Sequence, residues 1–266
     1  MLKTRILTAI ILAPLIVATI YLAPLWFYAL VFALVTAAAA YEWAALVGMD
    51  RLLLRWAYTL SFALLALSIY WYLPLRPVLL WAAAAFWLLA LARVLRFTGS
   101  ERLSGVNFVD AALGLVVIGG SFAALLELRA SSSGAHWVML SLLLVWLADI
   151  GAYFAGRQFG RRKLLPPVSP GKTWEGVYGG MLATIVVIGG ALLLWQQSIL
   201  VWLVALPLLV LLSVLGDLFE STLKRRAQVK DSGTLLPGHG GMLDRIDAQL
   251  AVLPYMALLV GAVARA

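Results

Sequence analysis

The sequence contains no cysteine, which excludes disulfides, thiolate metal sites and cysteine nucleophiles. Charge is scarce as well: 12% of residues are Asp, Glu, Lys or Arg, where a soluble domain carries about 25%. Acids are the rarer sign, 12 against 20 Lys and Arg, and histidine occurs twice. Alternating segments of about ten residues, the mark of a membrane β-barrel, are missing. No internal repeat of transporter length stands out either.

Apolar sequence fills the space these absences leave. Of the 266 residues 64% are hydrophobic, and the mean hydropathy is +1.00. Runs near twenty residues recur, each long enough to cross a hydrocarbon core of roughly 30 Å as helix. The expectation is an all-α, polytopic helical membrane protein with about nine transmembrane helices. Their spans are roughly 6–23, 25–45, 53–73, 77–95, 107–126, 136–156, 174–195, 199–219 and 246–264. The opening "MLKTRILTAIILAPLIVATIYLAP" has the basic and apolar regions of a secretory signal and is read as an uncleaved first span.

A formal charge of +8 invites a nucleic-acid reading, but its distribution argues for topology. With the N-terminus in the cytoplasm, 17 Lys/Arg fall on the cytoplasmic side, and Arg76, Arg129 and Arg265 fall outside. That positive-inside bias predicts N-in, C-out and no nucleic-acid partner. Gly-Gly pairs at 119–120, 179–180 and 189–190 predict close helix packing.

Polar chemistry is sparse over residues 1–126, which read as a transmembrane scaffold. Residues 127–266 read as a catalytic region with cytoplasmic loops 157–173 and 220–245. Seven of the 12 acids lie between Asp149 and Asp247: Asp149, Glu175, Asp217, Glu220, Asp231, Asp244 and Asp247. All lie at or near expected cytoplasmic span ends.

Three clusters carry the chemistry. In "DIGAYFAGRQFGRRK", Asp149, Tyr153 and Gly156 follow helical spacing and share a face. An acid within a span usually faces a partner or a watery cavity; the structural alternative pairs Asp149 with Arg157. In "PPVSPGKTWEG", Gly171-Lys172-Thr173 imitates a P-loop end, but Pro166 stands where that motif needs glycine, and no strand is expected in "RRKLLPP". Ser169, Lys172 and Thr173 nevertheless suit phosphate contact; a basic loop serving topology is the alternative.

The third cluster spans two helix ends. Asp217, Glu220, Ser221 and Lys224 share a face if their helix continues past the membrane, and Asp244 and Asp247 open the last span. Carboxylates from both ends, Asp217 with Asp244 and Asp247, suit magnesium completed by water and phosphate. Lys224, Arg225 and Lys230 can neutralise phosphate charge, while Gly238, Gly240 and Gly241 let backbone N–H groups approach phosphates. Arg226 reads as a topology charge and His239 as a phosphate contact or a loop-packing residue. Metal, cations and backbone donors together equip phosphoryl or nucleotidyl transfer.

The stretch "STLKRRAQVKDSGTLLPGHGGMLDRID", Ser221 to Asp247, resembles the signature of the phosphatidate cytidylyltransferases, the CDP-diacylglycerol synthases. Its pattern is filled by Ser221, Lys224, Arg225, Lys230, Asp231, Gly233, Pro237, Gly238, His239, Gly240, Gly241, Asp244, Arg245 and Asp247. "DIGAYFAGRQFGRRK" and "SPGKTWEG" are similar to the segments preceding it in that family. The resemblance implies CTP and phosphatidic acid as substrates, CDP-diacylglycerol and pyrophosphate as products, and magnesium as cofactor. It also implies a bacterial inner-membrane location among membrane lipids, and a homodimer.

On that footing Asp217, Asp244 and Asp247 are the expected metal ligands, with Lys224 and Asp231 completing the catalytic set. Arg225, Lys230 and Arg245 would hold phosphates, and Ser221 would touch phosphate or metal. Ser169, Lys172 and Thr173 would meet the triphosphate or lipid head group, and Asp149 a cavity wall or second cation. Two rivals stay open. One is a CTP-dependent transferase or kinase on another lipid phosphate or polyprenol; the other is an ion or solute transporter using Asp149, Glu42 and Asp110. Glu42 and Asp110 otherwise read as structural.

Overall fold

The computed structural model describes residues 2–235, 238 and 240–264, with side chains at residue 10 and from residue 12 onward. Its frame is helical: α1 Leu2–Leu22, α2 Leu25–Leu46, α3 Leu52–Trp71, α4 Leu75–Arg96, α5 Phe108–Ala130 and α6 Gly134–Phe159. After α6 come α7 Trp174–Leu194, α8 Ile199–Arg226 and α9 Leu243–Val263. Among the described residues, α2 to α9 are the eight helices long and apolar enough to cross a membrane; α1 contributes the shorter apolar stretch Leu12–Leu22. Helix is what lipid demands, because every backbone polar group must be satisfied within its own segment. Arg265, part of the topology argument, lies outside the described residues.

α5 is the central helix: 72% of its apolar window is buried, against 22% for peripheral α3. Two indole and phenol groups fasten it, Trp43 Nε1 donating to Asp110 O at 2.9 Å and Tyr58 Oη to Ala111 O at 2.8 Å. The last helix is tied in through a proline. Pro254 lacks the N–H that would bond Leu250 O. Trp87 Nε1 and Ser121 Oγ donate to that freed carbonyl instead, each at 3.0 Å.

Glycine pairs behave unequally. At Gly120 an added Cβ would stand 2.5 Å from Ala83 Cβ, and at Gly179 it would run into Ala155, so both permit close helix packing. Gly189 and Gly190 do not: the nearest atom to the first is 3.9 Å away and the second has open space. They sit instead at the end of a π-helical turn, Ile185–Gly189, within α7.

Between α6 and α7 the chain forms a hairpin where no strand was expected. β1 Lys163–Leu165 pairs antiparallel with β2 Ser169–Thr173, in register Lys163↔Thr173 and Leu165↔Ser169. Three residues are too few to show a period of two, and the turn is closed by Val168 N donating to Leu165 O at 3.1 Å. The hairpin leads straight into α7, whose N-cap is Thr173.

A buried ion triad locks one end of the bundle. Asp110 on α5 accepts from Arg93 of α4 and Arg226 of α8, both at 2.6 Å, and only 2% of its side chain is exposed. Arg226 is therefore a structural tie, beyond the topology charge its sequence position indicates. Replacing Asp110 by alanine leaves Arg226, itself 15% exposed, with only the longer 3.9 Å contact to Glu101 among the described ion pairs, and should cost about 3–5 kcal/mol. Thermal unfolding in detergent checks this; an unchanged midpoint would contradict the tie.

Candidate active site

The end of the bundle marked by that triad also gathers the expected polar residues. Small residues make this possible on α6 and α7. An added Cβ on Gly151 would lie 2.6 Å from Gly179 O, and one on Gly180 2.7 Å from Ala148 O. With the backbones that close, Asp149, Tyr153, Gly156 and Arg157 of α6 face Lys172 of the hairpin and Asp217 of α8 across a cleft of about 390 Å³. The shared face expected for Asp149, Tyr153 and Gly156 is present. Arg157 donates to Tyr153 Oη at 3.1 Å rather than pairing with Asp149.

Lys172 reaches Asp217 Oδ2 at 2.7 Å, and Ser221 Oγ donates to Asp217 Oδ1 at 3.2 Å. α8 indeed continues as helix to Arg226, so Asp217 and Ser221 stack one turn apart. Thr173 lines the cleft, but its hydroxyl accepts from Gly176 N at 3.2 Å as the cap of α7. Ser169 is half-buried in the hairpin and does not line the cleft. Glu175, one residue into α7, accepts from the backbone N–H groups of Arg161 and Arg162 and anchors the chain leaving α6.

Gly216 brings the last two helices into contact. An added Cβ there would lie 2.5 Å from Asp247 O and 2.9 Å from Ala248 Cα. Asp217, the next residue along α8, is thereby brought to the part of α9 that carries Asp247; Asp247 Oδ1 accepts from Ala248 N at 2.7 Å. Beside this pair, Lys224 bridges two acids, Glu220 one turn before it and Asp244 of α9 at 2.6 Å. The other Asp244 oxygen accepts from Gly241 N at 2.8 Å and Ser232 N at 3.0 Å.

The remaining expected residues divide between two places. Arg225 and Lys230 line a separate cleft of about 410 Å³ together with Arg102, a cation to which the sequence assigns only a topology role. Asp231 lies beside Gly240, which has φ +81°, and Gly238 has φ +77°; both angles favour glycine. Gly241 has its N–H on Asp244, and Arg245 is exposed on the first turn of α9. His239 lies outside the described residues. Glu220 and Ser232 have no assigned role in the sequence; an acid four residues before a lysine is the available signal for the first.

Magnesium, implied by the resemblance, can be tested against this geometry. Five carboxylates, Asp149, Asp217, Glu220, Asp244 and Asp247, meet three cationic side chains, Lys172, Lys224 and Arg157. Glu220 Oε1 is buried without a hydrogen-bond donor. That surplus of negative charge fits a divalent cation. A ready-made cage is not formed: among the described residues no three His, Asp or Glu side chains are gathered for a metal. Asp244 gives the reason, since Lys224 and two backbone N–H groups occupy both of its oxygens. One or two carboxylates completed by water and phosphate is nonetheless a common magnesium arrangement.

An apolar cavity of about 460 Å³ adjoins the polar cleft. Leu91, Leu95, Leu208 and Leu211 are among its walls, and Val177 and Val214 line both spaces.

Comparison with known proteins finds relatives along nearly the whole chain. A phosphatidate cytidylyltransferase of Pseudomonas aeruginosa is 39% identical over 98% of both chains. One of Haemophilus influenzae is 34% identical over 97% of this chain and 98% of its own. One of Staphylococcus saprophyticus is 42% identical over 58% of this chain and 60% of its own. The sequence model of the cytidylyltransferase family matches residues 3–263. This chain belongs to the cytidylyltransferase family.

Proposed function

We propose that this protein transfers the cytidylyl group of CTP to phosphatidate, giving CDP-diacylglycerol and pyrophosphate in phospholipid biosynthesis. The observation that carries the reading is the shared wall of the two cavities. A charged cleft opens beside an apolar one across Val177 and Val214, which matches a substrate with a phosphate head and acyl chains. Relatives bearing the phosphatidate cytidylyltransferase name over nearly the whole chain support the same assignment.

In this reading a phosphate oxygen of phosphatidate attacks the α-phosphorus of CTP. One P–O bond forms, the bond from the α-phosphorus to the bridging oxygen breaks, and pyrophosphate leaves with the electron pair. Two polyanions must approach, so charge neutralisation and positioning dominate the barrier. Lys172 and Arg157 line the cleft and lower the repulsion. Arg225, Lys230 and Arg102 offer a second cationic cleft for phosphate charge. Asp217 and Asp247, joined by Asp244 where Lys224 yields an oxygen, would hold magnesium, whose chemistry is to neutralise phosphate charge. Ser221 orients Asp217. Asp149 forms the opposite wall of the cleft, placed to attract a second cation. Asp231 and Arg245 flank the loop and complete the polar rim.

CTP enters from the cytoplasm in this proposal, so the site faces the cytoplasmic side of a bacterial inner membrane. The homodimer implied by the resemblance belongs to the same proposal. The test is incubation of the purified protein with CTP labelled at the α-phosphate and phosphatidate in mixed micelles. Label should enter the lipid phase with one pyrophosphate released per lipid labelled. Transfer to an isoprenoid phosphate but not to phosphatidate, or no transfer at all, would overturn the substrate assignment.

A further inference from the structure

We propose that Glu42, on the second helix of the scaffold, is a positioning residue for the transfer site, fixing the orientation of Asp244 and Asp247. The inference rests on the assignment of those aspartates to the reaction. Glu42 is 5% exposed, and its carboxylate points at the chain that enters α9. Oε1 accepts from Met242 N at 3.0 Å; Oε2 accepts from Leu243 N at 2.7 Å and from Ser232 Oγ at 3.0 Å.

Two of these donors are backbone N–H groups at the start of α9, a helix whose own cap residue, Met242, supplies no side-chain bond. The first turn of any helix leaves such groups unpaired and carries partial positive charge. Glu42 answers both needs from a different helix, 201 residues away in sequence from Leu243. Ser232 then carries the tie onward. Its hydroxyl accepts from Asp244 N at 3.3 Å while its own N–H donates to Asp244 Oδ2 at 3.0 Å. A chain of hydrogen bonds thus runs from Glu42 through Ser232 to the Asp244 carboxylate. Asp247 sits one turn along the same anchored helix.

The glycines of the loop fit around this acid. A Cβ on Gly233 would collide with the Glu42 carboxylate, and one on Gly241 with both Glu42 and Ser232 Oγ. An acid on a membrane helix is costly and typically marks function. Here all three donors it meets among the described residues lie between Ser232 and Leu243, the segment leading into Asp244.

Glu42→Gln keeps the shape but sets an amide NH₂ against donors. Turnover per folded protein should fall about 10- to 100-fold, the usual scale for a residue orienting a ligating carboxylate. KM for CTP and for phosphatidate should stay within about twofold, because orientation of the reacting groups, not ground-state binding, is what is lost. Wild-type turnover in folded protein, even with a lowered thermal midpoint, would overturn the proposal and leave Glu42 a structural tie. So would raised KM with turnover kept. Should Glu42→Gln fail to fold, Ser232→Ala decides, since it deletes only the hydroxyl link: reduced turnover supports the chain of bonds, unchanged turnover breaks it. Asp217→Asn run alongside separates the two levels. If it is inactive while Glu42→Gln is fully active, only the role of Glu42 falls; if Asp217→Asn is fully active, the site assignment falls first.

Discussion

Asp217→Asn should lower transfer from CTP to phosphatidate by about 10²–10³-fold, the scale on which one preorganised electrostatic contact acts on a transition state. Asp217 faces the cleft with 38% of its side chain exposed, one oxygen on Lys172 at 2.7 Å and the other on Ser221. Asparagine preserves the volume and can still accept from Ser221, but it removes the charge that attracts Lys172 and a divalent cation. Because the side chain is only half-buried, folding should change little, so the loss belongs to chemistry. Activity at matched amounts of folded protein, with the thermal midpoint as control, decides it. Turnover near wild type would remove Asp217 from the mechanism.

Lys224→Met should act on stability and turnover together. The sequence alone points to Lys224 as a phosphate contact, whose loss would raise the requirement for CTP or lipid. The structure places its ammonium between Glu220 and Asp244 instead, with side-chain exposures of 14%, 3% and 8% respectively. Removing the cation leaves two buried carboxylates facing each other, a loss of about 3–5 kcal/mol for a broken buried pair. Asp244 then loses the partner of one oxygen, Oδ1, and keeps only the backbone donors on Oδ2. The double variant Lys224→Met/Glu220→Gln should recover part of the stability, since groups in one network are not additive, while turnover stays low. A Lys224→Met protein with an unchanged thermal midpoint would mean that the bridge is dispensable.

Much of the fold is legible in sequence because lipid imposes one rule on every span, and length with hydropathy reads it directly. The helix that carries the span expected at 199–219 runs on to Arg226, the continuation on which the shared face of Asp217, Ser221 and Lys224 depends. The hairpin of Lys163–Leu165 with Ser169–Thr173 is hidden for a different reason, being too short for a period to show.

Within the site, groupings set by helical spacing are readable and those set by packing are not. Asp149, Tyr153 and Gly156 share a face by period alone, and they line one cleft. The pairing of Lys172 with Asp217, and of Arg226 with Asp110, depends on how α4, α5, α8 and the hairpin meet. No local pattern encodes that. Glu42 shows the limit best: it belongs to the scaffold half by sequence, yet its bonds end on the motif that begins the last helix.

Titration of Mn²⁺ into the purified protein, followed by the EPR signal of the free ion, probes most directly whether acids of α8 and α9 form a cation site. The wild-type protein should remove Mn²⁺ from solution saturably, and Asp217→Asn and Asp247→Asn should each weaken binding by at least about tenfold while remaining folded. Equal depletion of free Mn²⁺ by wild type and both variants would contradict the account.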